Sequence, residues 1–189
     1  TDSHVYTSAS VNTVTVTVTD DCLAASAAAA YQFVVVYDPS AGFVTGGGFI
    51  VSPAGAYRAN TSLTGKANFG FVSKYQKGAK VPTGETEFQF QVAGFNFHST
   101  AYEWLVVSGA KAQYKGTGTV NNAGNYGFLL TATDGDLTGG GGVDKFRIKI
   151  WDNNAAGAIV YDNNYGTSDD IDLANPQAIS GGSIVIHQK

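Results

Sequence analysis

The sequence predicts an all-β protein: an antiparallel β-sandwich preceded by a short arm of further strands. Three observations carry this. Residues 13–19 read T-V-T-V-T-V-T, a strict period of two that sets Val14, Val16 and Val18 on one face of a half-buried strand. Strand-length apolar runs then recur along the chain, divided by turn-forming clusters such as Gly46-Gly47-Gly48, Gly139-Gly140-Gly141-Gly142 and Asn121-Asn122-Ala123-Gly124-Asn125. Finally, 24 of 189 residues are Gly and only 14% are charged, against roughly 25% charge in an average globular domain. No long stretch keeps a helical period.

Taken in order, the arm continues through a turn at Asp20-Asp21 and an alanine-rich stretch, 24–30. Propensity alone would allow that stretch to be helix, but strand signals on both sides make it a loop leading into a strand at 31–37. Asp38-Pro39-Ser40-Ala41-Gly42 is a boundary rich in turn residues. Beyond it, strands are expected at 43–51, 63–75, 86–92, 102–107, 110–118, 126–133, 143–151, 158–161 and 183–187, at the spacing of a sandwich. Residues 145–151 alternate, with Phe146, Ile148 and Ile150 inward and the basic residues outward. The organisation is therefore an arm at 1–37, a linker at 38–42 and a sandwich of about nine to eleven strands at 43–189.

Composition narrows the function classes. A net charge of −4, with only 11 Lys and Arg together, lacks the basic footprint of a nucleic-acid binder. Unbroken apolar stretches are a few residues long, far below the roughly 18 needed for a helical membrane span. The 23 aromatic residues (11 Phe, 10 Tyr, 2 Trp) supply enough bulk for a core and argue against disorder. The absence of Met points to a processed chain or a piece of a longer one. The single cysteine, Cys22, cannot form an internal disulfide; it reads as a small core filler or, alternatively, as one half of an intermolecular pair.

Two stretches resemble a known pairing of modules. His4-Val5-Tyr6 followed by residues 14–21, V-T-V-T-V-T-D-D, resembles the closing strands of a PKD domain (the polycystic kidney disease-type, Ig-like sandwich), with 31–37 as its last strand. The earlier half of such a domain, including the W-x-F-G-x-G stretch, is absent. Residues 46–50, G-G-G-F-I, and 65–72, G-K-A-N-F-G-F-V, resemble the module called post-COAP-1 that follows PKD domains in bacterial surface proteins. Residues 95–99, 114–118, 144–152 and 181–187 match it as well. The resemblance implies incomplete PKD-like strands followed by a jelly-roll or Ig-like sandwich, secreted or at the cell surface. It supplies no catalytic residues.

Candidate sites are few. His4, His98 and His187 are the only histidines, and none stands in a known nucleophile motif; His98 is expected as a structural histidine bonded to loop backbone. Glu85 and Glu87 share one exposed strand face, and Glu103 is the remaining glutamate. The expectation is a non-catalytic protein. Calcium is the candidate cation, at Asp134, Asp136 and Asp144, because Asp134-Gly135-Asp136 is an acidic turn and calcium takes many oxygen ligands. A second acidic group is Asp169-Asp170-Ile171-Asp172. No EF-hand pattern is present. Trp104, Tyr126 and Trp151 are the candidate platforms for a carbohydrate, since ring faces pack on the apolar faces of sugars.

The arm carries the main expectation. Its two strands each present an apolar face without the sandwich that should cover it. An isolated pair of strands is marginal in water, and an open edge is a template for pairing. Either the arm folds back on the second module or another chain covers it. The leading expectation is an extracellular structural or adhesive subunit that forms homo-oligomers or filaments by strand complementation, through Val14, Val16, Val18, Phe33 and Val35. The alternative is a glycan- or calcium-binding module of a larger secreted protein.

Overall fold

The computed structural model describes residues 3–19, 28–40 and 42–188, with the backbone alone for Gln32 and Phe33. The expectations for Cys22, for the Asp20-Asp21 turn, for most of the alanine run and for the Phe33 side chain lie outside the described residues. The fold is all-β. Two N-terminal strands, β1 (Ser10–Val16) and β2 (Ala29–Val36), pair antiparallel as a separate ribbon. Ten strands follow: β3 (Gly42–Ser52), β4 (Gly65–Lys74), β5 (Thr83–Phe90), β6 (Phe95–Ser108), β7 (Lys111–Val120), β8 (Ala123–Thr133), β9 (Lys145–Asp152), β10 (Ala158–Asp162), β11 (Gln177–Ala178) and β12 (Gly181–Gln188). They form one antiparallel sheet in the order β10-β9-β8-β7-β6-β5-β4-β3-β12, with β11 also paired to β9. A single turn of 3₁₀ helix at Gln91–Ala93 is the only helical element among the described residues.

The sheet folds over on itself at β6, the longest strand. Only Phe95 to His98 of β6 pairs with β5, whereas Phe97 to Ser108 pairs with β7. Two bulges, between Ser99 and Ala101 and between Tyr102 and Trp104, bend the strand between the layers. They also reset which face each residue occupies. Simple alternation would put Tyr102, Trp104 and Val106 on one side. In the fold Tyr102 and Leu105 enter the main core, while Trp104 and Val106 point to the opposite face. Beyond the stretch of β6 that pairs with β5, the Tyr75 hydroxyl serves the strand, accepting from Leu105 N at 3.0 Å and donating to Leu105 O at 3.2 Å.

Between the layers lies an aromatic core. Phe69 of β4 stacks on Phe146 of β9 at 4.1 Å, and Phe88 of β5 meets Tyr161 of β10 at 4.6 Å. Phe146, Ile148 and Ile150 are fully buried, as their alternation predicts. Gly46 makes room for this packing, since a Cβ there would lie 2.5 Å from Phe71 Cζ. At the centre the Thr86 hydroxyl bonds the hydroxyls of Tyr102 and Tyr114 at 2.7 and 2.9 Å, and Ser99 Oγ accepts from Thr86 N at 2.8 Å. These hydroxyls satisfy one another, whereas Ser73 Oγ is buried without a hydrogen-bond partner among the described residues.

The outer faces of the two layers differ. On the second layer, the segment 163–176 folds back over β7, β8 and β9. Arg147 is directed outward, as its strand position predicts, yet it is only 2% exposed. It donates to both carboxylate oxygens of Asp162 at 3.0 and 2.8 Å, and to Ser168 O at 2.7 Å. Asp169 lies 3.1 Å from Arg147 Nη2 and accepts from Lys149 Nζ at 2.5 Å. Burial pushes the Arg147 pKa down, but hydrogen bonds and the charges of Asp162 and Asp169 more than offset it, leaving it raised. The first layer's outer face carries no such cover from the segment. No helix among the described residues is long and apolar enough to cross a membrane.

Candidate functional site

Three regions bear on function: the ribbon, the acidic turn and the bare outer face of the first layer. The ribbon docks by one end. Val11, 3% exposed, packs with Trp104, Val106, Leu129 and Ile171 in a second small core, joined by Ala9, Val35 and Trp151. Burial fades along β1, so Val14 is half-buried while Val16 is 47% and Val18 64% exposed. Tyr31 on β2 is exposed as well. The strand starts earlier than the Thr/Val alternation implies and ends at Val16, with a register irregularity between Asn12 and Val14. Val11, rather than the expected trio, makes the buried contact, because it is the residue that meets apolar partners on β6 and β8.

The sheet edges are treated unequally. Two outward amides of β12 meet carboxylates: Ile184 N donates to Asp144 Oδ2 at 2.7 Å and Ile186 N to Asp134 Oδ2 at 2.8 Å. Their other oxygens accept Gly135 N at 2.7 Å and Asp136 N at 3.0 Å. All four oxygens of the two carboxylates are therefore engaged by backbone donors, and Asp136 is exposed. Asp134 and Asp144, two of the three residues expected to hold calcium, thus serve as surrogate strand acceptors, and Asp136 contributes its amide. At the other end, residues 56–58 cover β10 through Arg58 N to Val160 O at 3.0 Å and Asp162 N to Ala56 O at 2.9 Å. Asn163 bridges the gap between β10 and β11, accepting from Ile148 N at 2.8 Å and donating to Phe146 O at 3.0 Å. Among the described residues, no further strand pairs with the outer edge of β1 or of β2.

The three expected sugar platforms do not share one open surface. Trp104 is 9% exposed beneath the ribbon. Trp151 lies over Gly127, where a Cβ would approach its ring within 2.2 Å, and its indole N–H donates to Asn153 Oδ1 at 3.0 Å. Tyr126 sits on the other face of β8, packed against the main core. Trp104 and Trp151 thus meet at the second small core, and Tyr126 alone faces the main core.

The bare face holds a cluster that the sequence names only in parts. Register carries one row across the first layer: Gly47 opposite Gly70, Gly70 opposite Glu87, and Glu87 opposite His98. Glu85 lies two residues along, on the same face. His98 Nδ1 is 3.4 Å from Glu87 Oε1, and Nε2 is 4.0 Å from Glu85 Oε1. His98 is thus a strand residue between two carboxylates, not a loop histidine bonded to backbone. Its signal in the sequence is incomplete, since Glu85 and Glu87 share a face by spacing but only the β5–β6 register brings His98 to them. Among the described residues these three are the group of His, Cys, Asp and Glu whose donor atoms converge. Beside them lies a shallow groove of about 320 Å³, lined by Gly70, Phe71, Val72, Glu85 and Glu87.

No family model, no curated protein and no solved structure matches the chain. What the molecule does must therefore follow from its own geometry.

Proposed function

We propose that this chain is a non-catalytic, extracellular structural or adhesive subunit that joins further copies of itself by strand pairing along its N-terminal ribbon. The observation that carries the reading is the contrast between edges. Both ends of the ten-stranded sheet are closed by carboxylates, an asparagine and a loop, the devices that keep β proteins from pairing edge to edge. Among the described residues no further strand pairs with the ribbon's outer edges, which lie beside the exposed side chains of Val16 and Tyr31. Added strands gain affinity from main-chain hydrogen bonds and register from alternate side chains. A head-to-tail contact of this kind does not close, and so propagates.

The PKD-like arm at 1–37, the linker at 38–42 and a post-COAP-1-like sandwich at 43–189 belong to the same proposal; it is supported by the ribbon ending at Val36 and the large sheet starting at Gly42. Light scattering and negative-stain microscopy of the full chain test the assembly. Oligomers or filaments that dissolve in a Val14→Lys/Val16→Lys variant support it. A parent chain that stays monomeric at every accessible concentration overturns it, as do oligomers unchanged by deletion of residues 1–37. The second reading, a ligand-binding module of a larger secreted protein, is favoured by the bare glycine-floored face of the first layer.

A further inference from the structure

We propose that Glu85, Glu87 and His98 form a surface site for a divalent transition-metal ion of the zinc class, open on the side of the Gly47–Gly70 floor. The chemistry of the donors is the first argument. One imidazole nitrogen with two carboxylate oxygens suits zinc and its neighbours, whereas calcium and magnesium favour oxygen-only sets. Position is the second. The three donor atoms already lie within 4.8 Å of one another, and bonds of about 2.0–2.2 Å in a tetrahedral site need donors roughly 3.3 Å apart. Both glutamate side chains are more than half exposed, so rotation about their own bonds closes that difference without moving a strand. His98, half-buried on β6, supplies the fixed point.

Charge is the third argument. Glu85 and Glu87 lie on one face of one strand, where like charges repel. Among the described residues the one ion-pair partner of either is His98. A divalent cation would neutralise both carboxylates and take the imidazole as a neutral ligand. The floor is the fourth. A Cβ built on Gly70 would meet nothing within 4 Å, so the space next to Glu87 stays clear for a water or a ligand oxygen on the ion's remaining position. Three protein ligands and one open position is the arrangement that lets zinc bind a further group.

The experiment is calorimetric titration of the full chain with zinc chloride alone, beside parallel titrations with calcium and magnesium chloride. The result expected is saturable binding of one zinc ion per chain. His98→Ala should weaken it by about tenfold or more, since losing even a residue that only supports a ligand costs 10–100-fold. Glu85→Gln and Glu87→Gln should each weaken it, while His187→Ala and Glu103→Gln should leave it unchanged. All these side chains lie on the surface, and circular dichroism checks that each variant is folded. Cobalt substitution gives a second readout, intense visible bands that His98→Ala abolishes. Absence of saturable zinc binding overturns the proposal. So does zinc affinity equal in the parent and His98→Ala, or calcium bound as tightly as zinc at these residues.

Discussion

Removing the Asp134 carboxylate should unzip one bond of the β12 edge and leave its neighbour intact. Asp134 is buried and accepts two amides, Ile186 N at 2.8 Å and Asp136 N at 3.0 Å. A hydrogen bond to a charged group contributes about 1.5–3 kcal/mol, and a buried donor left without an acceptor costs its full desolvation. Asp136 is exposed, so water replaces its lost acceptor cheaply. Ile186 N is buried and has no such recourse. Asp134→Ala should therefore destabilise the protein by about 2–3 kcal/mol, nearly all of it through Ile186. In a chain of this size that corresponds to a fall in Tm of roughly 5–10 °C. Asp134→Asn keeps one acceptor and should lose about half as much. Thermal unfolding gives the magnitude, and amide hydrogen exchange gives the location. Ile186 should lose protection while Ile184, held by Asp144, keeps it. A Tm unchanged in Asp134→Ala, or an Ile186 amide that stays protected, would refute the capping argument.

Three further outcomes are expected. Asp162→Ala leaves the Arg147 guanidinium buried without its bidentate partner, and chemical denaturation should show a loss of about 3–5 kcal/mol; an Arg147→Met/Asp162→Leu double replacement should lose less than that single change. Burial raises the pKa of Tyr114, Tyr102 and Tyr161 above the ordinary tyrosine value. Their neutral forms are favoured in the fold, so the stability they confer is complete below about pH 10 and is lost as pH rises from there toward the folded-state values. A Tm that stays flat through that alkaline range would contradict this. Gly46→Ala drives a methyl into the Phe71 ring and should cost about 1–3 kcal/mol, whereas Gly70→Ala, with nothing within 4 Å of its Cβ, should leave the unfolding midpoint within experimental error.

Alternation makes the inner face legible in the sequence: Phe146, Ile148 and Ile150, and likewise Phe88 and Phe90, lie where a period of two puts them. Three kinds of information are not in the local pattern. Bulges carry no strong composition signal in Ser99-Thr100-Ala101 or Tyr102-Glu103-Trp104, so neither the face of Trp104 nor the strand at 95–101 is legible in the sequence. Carboxylates that serve distant amides look the same in sequence as metal-binding ones, and 52 residues separate Asp134 from Ile186. The His98 cluster depends on which residue of β5 faces which residue of β6. Arg147 shows the same limit, since its outward direction is readable but its burial depends on a loop arriving from residues 163–176.

The two outer faces give the molecule a front and a back. The ribbon rests on Trp104, Val106 and Leu129 of the second layer, whereas His98, Glu85 and Glu87 look out from the first. Copies joined through the ribbon would therefore all use the covered side for assembly and turn the other toward solvent. Any group recognised on that free side would recur at the subunit repeat, so that an affinity too weak to hold one copy becomes strong when many are engaged at once. A shallow, exposed site gains more from such repetition than a deep one.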